Sequence, residues 1–83
     1  RGEAARAEPP LRSAVALFET ALGAGHPRLA LALHALARCL VALGRTEESR
    51  PVCARALALR EQPLGPDDPM TVETRNLCAA ENR

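Results

Sequence analysis

The sequence predicts an all-α fold, an α-α superhelix of antiparallel helix hairpins with about four helices, and three observations predict it. Leu and Ala dominate while β-branched residues are sparse and Phe18 is the single aromatic, a composition that favours helix over sheet. Residues 29–44, LALALHALARCLVALG, are apolar apart from His34 and Arg38, and a helix apolar nearly all round is a buried one. Finally, the chain matches itself at an offset of 42 residues, the mark of a repeat architecture.

The placement of the matches carries more weight than their number. Ten of 41 compared pairs are identical. Gly2, Gly23, Pro9 and Pro27 fall on Gly44, Gly65, Pro51 and Pro69, at boundaries between elements. Ala14, Ala16, Leu17, Leu22 and Ala37 fall on Ala56, Ala58, Leu59, Leu64 and Ala79, at helical spacings, and Glu19 meets Glu61. Each period holds two helices, which places helices at about 3–22, 27–43, 46–63 and 69–82.

The first helix ends before Gly23. Pro27 and Pro69 suit the first helical position, where no backbone N–H is needed, and His26 and Asp68 precede them as caps. From Arg28 the series Leu29, Leu33, Leu36, Leu40 and Leu43 holds one apolar face until Gly44 ends the second helix. The third helix starts at about Thr46, with Pro51 in its first turn or so. It is expected to turn Cys53, Ala56, Leu57, Leu59 and Leu64 inward. Glu47, Glu48, Arg50, Arg55, Arg60 and Glu61 are expected to face mostly outward, before "GPDDP" closes the element. Residues 1–25 then read as the second helix of a repeat, 26–67 as one complete repeat and 68–83 as the first helix of the next. The chain, opening on Arg1, reads as an excerpt of a longer array.

"HPRLALALHALARCLVALGRTEESRPVCARALALREQPLGPDDP" resembles the 42-residue tetratricopeptide repeats of the kinesin light chain and nephrocystin-3 type. The similarity extends forward into "MTVETRNLCAAENR" and back through "GEAARAEPPLRSAVALFETALGAGHP"; "RALALREQPLGPDDP" is its most specific stretch. Leu33, Leu36, Ala37, Leu40, Gly44, Ser49, Cys53 and Ala56 stand at the signature positions, with Ala37 as the small residue that admits close helix approach. Thr46, Ser49 and Cys53 depart from a usual aromatic, alanine and aromatic. His34 and Ala35 stand where the family often has two asparagines, and Asn76 retains the first of them in the next repeat.

The resemblance implies a concave groove, lined by the first helix of each repeat, that holds a peptide segment of a partner protein within a larger adaptor or regulatory protein. Projected onto this chain, the peptide-binding residues are Leu31, His34, Arg38 and Val41, continued by Glu73, Asn76, Ala80 and Arg83. His34 and Arg38, four residues apart on one helix face, would be the groove's donors, and Arg38 suits a carboxylate or backbone carbonyl. The same stripe also reads as a solvated helix edge without a ligand. An architectural role, as a spacer or self-association segment joined through exposed repeat ends, is the alternative function.

Other classes find little support. A net charge of +1 and a single aromatic offer a nucleic acid neither an electrostatic footprint nor a stacking platform. The apolar run is too short to span a membrane and carries a His and an Arg. No nucleophile–base pair, paired carboxylates or phosphate-binding glycine loop points to an enzyme, and no cofactor or metal is expected. The two acids of "GPDDP" lack the alternating ligands of a calcium loop and read as turn and cap. Cys39, Cys53 and Cys78 show no zinc or redox spacing, so they are expected to be reduced, small hydrophobes in a cytoplasmic protein.

Overall fold

The computed structural model describes residues 2–23 and 25–81, which form four helices: α1 Gly2–Leu22, α2 Pro27–Ala42, α3 Thr46–Leu64 and α4 Pro69–Glu81. They pack in chain order, α1 on α2, α2 on α3 and α3 on α4, while α2 and α4 meet along a narrower seam. Each predicted helix is present, and the ends agree to within a residue; Asn82, at the predicted end of the last helix, lies outside the described residues.

Local chemistry sets the boundaries. Pro27 opens α2, and Nδ1 of His26 accepts the Arg28 N–H at 3.1 Å, so the expected cap is made by a histidine ring. Asp68 serves α4 in the same way, its Oδ1 accepting the Met70 N–H at 2.9 Å. At the other end of α2 the Gly44 N–H donates to the Val41 carbonyl and the Arg45 N–H to the Leu40 carbonyl. This paired closure needs a left-handed residue, and Gly44 supplies it with φ +77°. The α2–α3 turn is then fastened to α1 by a ring of alternating charges. Glu8 pairs with Arg12 at 2.8 Å and Arg45 at 2.6 Å, and Glu48 pairs with the same two arginines. Hydrogen bonds from Arg45 and then Arg12 hold both carboxyls below the usual carboxylate range.

The core belongs to α2. Leu29, Leu33 and Ala56 form its centre, with Val15 and Phe18 of α1 and Val52 and Leu59 of α3 packed against them. Leu36, Ala37 and Leu40 continue the buried face, and Ser49 of α3 approaches closely enough to donate its hydroxyl to the Ala37 carbonyl at 3.2 Å.

The structure corrects the sequence reading in α3 and at the cysteines. Pro51 is the sixth residue of α3, in its second turn; its ring is exposed, as is Glu47, so water can take the carbonyl that loses its helical donor. Leu64 is exposed at the end of the helix, whereas Arg60, expected outside, is buried. Cys53 and Cys78 are not reduced packing residues: they form a disulfide between α3 and α4, with their Cα atoms 5.8 Å apart. The helical repeat turns both side chains into one seam, a proximity that their separation in sequence conceals. Cys39 is a free, buried thiol that donates to the Ala4 carbonyl of α1.

Truncation should separate the core from the surface. Leu33→Ala is expected to cost about 2–5 kcal/mol. Leu17→Ala, at a site 64% exposed, is expected to cost no more than about 0.5 kcal/mol. Urea unfolding of the two variants measures the difference.

Candidate functional site

A groove of about 340 Å³ runs between α2 and α4, lined by His34, Arg38, Glu73, Asn76 and Leu77. Four of these were projected from the sequence onto one face, and the packing of α4 beside α2 brings them together. Leu31 and Val41 are exposed on α2 but do not line this groove, and Ala80 is exposed near the end of α4. Arg83 lies outside the described residues. A larger concavity of about 610 Å³ sits at the α2–α3 turn, lined among the described residues by the short segment Gly44–Glu48. Two of its three charged groups, Arg45 and Glu48, are already paired with Glu8 and Arg12.

His34 and Arg38 share a helix face yet live in different environments. Arg38 is exposed at the groove edge. The His34 ring is buried, only 7% exposed, in the seam with α4. Its Nδ1 lies 3.1 Å from Oγ1 of Thr74, and its Nε2 lies 4.0 Å from the Glu73 carboxylate. It is therefore a seam residue with one edge toward the groove, a placement that neither the donor nor the solvated-edge reading anticipates.

Thr74 is the centre of this seam. Arg60 reaches across from α3, and its Nη1 donates to Oγ1 of Thr74 at 2.7 Å and to the Met70 carbonyl at 3.1 Å. The Thr71 hydroxyl returns a bond to the Arg60 carbonyl at 3.3 Å. A hydroxyl has one proton to give and two lone pairs to fill. Arg60 takes one lone pair, and the proton can go to His34 or to the Met70 carbonyl at 3.1 Å. Glu73 favours the arrangement with the imidazole proton on Nε2, facing its carboxylate, and Thr74 then donates to Nδ1. Burial, reinforced by the Arg60 charge, holds the His34 pKa below its ordinary value; Glu73 opposes that shift and Arg38 adds slightly to it.

Sequence reasoning missed Arg60, Thr71 and Thr74. The signal lay in the 42-residue offset, which sets Arg60 on Phe18, Thr71 on Leu29 and Thr74 on Ala32. Where the α1–α2 seam has an aromatic beside a leucine, the α3–α4 seam has an arginine beside a threonine. Among the described residues no group of three His, Cys, Asp or Glu side chains is placed to hold a metal ion, and no helix is long and apolar enough to cross a membrane.

Two outcomes test this seam. The unfolded chain binds a proton at His34 more tightly than the folded one. Stability should therefore fall as pH drops from about 6.5 through the lower folded value, and be fully retained above that window. His34→Gln should flatten urea-unfolding stability between pH 7.5 and 5.5. Arg60→Ala is expected to cost about 1.5–3 kcal/mol by stripping a charged donor from buried acceptors. Arg60→Phe combined with Thr71→Leu, which writes the first seam's pair into the second, should recover most of that loss in the same assay.

No curated protein matches the chain. The sequence model of one family, described as tetratricopeptide repeat, matches residues 1–62, which span α1, α2 and most of α3. With paired helices in chain order, glycine closures one period apart and a match over about three quarters of its length, the chain belongs to the tetratricopeptide repeat family.

Proposed function

We propose that this chain is a protein–protein interaction module that holds a peptide segment of a partner in the groove between α2 and α4. Tetratricopeptide repeats in general serve protein interaction rather than catalysis. The observation that carries the reading here is the convergence of an exposed Arg38, an exposed Asn76 and the Glu73 carboxylate on one groove with an apolar wall at Leu77. An amide at Asn76 satisfies a peptide N–H and C=O together, and Arg38 takes a carboxylate or a carbonyl. The matching ligand is an extended segment carrying an acidic side chain opposite Arg38. Residues 26–69 resemble the repeats of the kinesin light chain and nephrocystin-3 type, and that is the subfamily we propose.

A second reading, self-association without peptide specificity, draws on the exposed apolar side chains Leu17, Leu31 and Met70. The cytoplasmic placement expected from the cysteine spacing must accommodate a disulfide. In a reducing compartment such a bond is transient and made in use.

A screen of acidic extended peptides by NMR separates the readings. Binding should shift Arg38, Asn76 and Leu77 together while leaving Arg55 on α3 unmoved. Arg38→Glu should weaken binding about tenfold or more, as loss of a charged hydrogen bond predicts. Concentration-dependent mass with no peptide hit would favour self-association.

A further inference from the structure

The α3–α4 seam differs from the α1–α2 seam at two places, and the second is the disulfide. One repeat back, Cys53 corresponds to Leu11 and Cys78 to Leu36, just as Arg60 corresponds to Phe18 and Thr71 to Leu29. Both substitutions remove apolar side chains from the second seam. In their place stand a polar cluster and a covalent bond, which act on different parts of α4. The contacts of Arg60, Thr71 and Thr74, together with Arg75 donating to the Pro66 carbonyl, gather in its first half. The disulfide fastens its second half, one turn beyond Thr74. Asn76 and Leu77, two of the three α4 residues that line the groove, lie between these two attachments, and Glu73, the third, lies beside Thr74.

We infer that the Cys53–Cys78 bond is a redox-sensitive clasp that seats the second half of α4 and thereby sets the α4 wall of the groove. The consequence for ligand binding rests on the proposed peptide-groove function; the clasp itself does not. Cys53 is fully buried, whereas Cys78 is partly exposed, so a reductant enters at Cys78. A small dithiol supplies the electrons. Its thiolate attacks Sγ of Cys78, a mixed disulfide forms, and the bond to Cys53 breaks with Cys53 leaving as a thiolate that takes a proton. The second thiol of the reductant then displaces the Cys78 thiolate, which is also protonated, and closes a cyclic disulfide. The protein has gained two electrons and two protons, and the dithiol has lost them. A small disulfide such as oxidised glutathione reverses the exchange, released as two thiols. The reduced seam keeps the polar contacts of residues 70–75, so α4 stays docked at its start and loosens beyond Thr74.

The test uses the whole chain without any peptide, so it is independent of whether the groove is used. Alkylation after unfolding should label one thiol, Cys39, in the oxidised protein and three after dithiothreitol treatment. Amide hydrogen exchange at residues 77–80 should then rise about tenfold or more while Leu33–Leu40 of α2 change little. Oxidised glutathione should restore the slow exchange. A Cys53→Ala, Cys78→Ala variant should show the fast exchange with or without reductant. Three reactive thiols in protein kept under oxidising conditions would overturn the inference, as would unchanged exchange at 77–80 on reduction. An equal rise in α2 would also overturn it, because the bond would then support the whole fold rather than one wall.

Discussion

The structure depends on the burial of α2. Leu29, Leu33, Leu36 and Leu40 are each withdrawn almost wholly from solvent, and a leucine so buried contributes about 1.5–3 kcal/mol. α1 covers one flank and α3 the other, so neither neighbour has to form a core alone. Ordering a chain this short is opposed by backbone entropy of about 1–2 kcal/mol per residue, and a single continuous apolar face is the economical way to offset it. The exposed Leu17 on α1 and Leu64 on α3 mark where that coverage ends.

A helix buried to this extent constrains every polar group it carries. His34 is tolerated because Thr74 satisfies its Nδ1, and Thr74 in turn is held by Arg60. One hydroxyl thus joins α2, α3 and α4. The arrangement is less cohesive than the apolar seam one repeat earlier, since a net hydrogen bond contributes about 0.5–1.5 kcal/mol where a buried aromatic or leucine contributes more. A disulfide closing a loop between residues 53 and 78 removes unfolded-state freedom worth about 3–4 kcal/mol in the chain-entropy description. That is comparable to what the lost apolar pairs would have supplied.

Helices, caps and closures were legible because their causes are local. His26 before Pro27, Asp68 before Pro69 and Gly44 after a periodic leucine run each announce a boundary with nothing else known. The candidate groove was partly legible for the same reason: His34 and Arg38 share a face of α2, as Glu73 and Asn76 share one of α4, by helical spacing alone. What failed on α3 was the placement of Arg60 and Leu64, while Cys53 and Ala56 lie inside and Glu47, Glu48, Arg50 and Glu61 outside as the pattern implies. A lone arginine on a helix defaults to solvent, and only the two threonines of α4 opposite Arg60 reverse that outcome. The cysteines failed likewise, because the fold, not their spacing, brings positions 53 and 78 together. Comparison of the repeats pair by pair, with Leu11 and Leu36 replaced by two cysteines at once, held the missing information.

The buried seam and the candidate groove are therefore one structure seen from two sides. Thr74 faces inward and fixes where α4 lies against α2, while Glu73 and Asn76, on either side of it along the helix, face the groove. His34 is committed to the seam through Thr74, whereas Arg38, Asn76 and the largely exposed Glu73 carboxylate stand at the groove surface. The spacing between the arginine on α2 and the amide on α4 therefore rests in part on a hydroxyl buried in the seam, in the first half of α4, and in part on the disulfide beyond it.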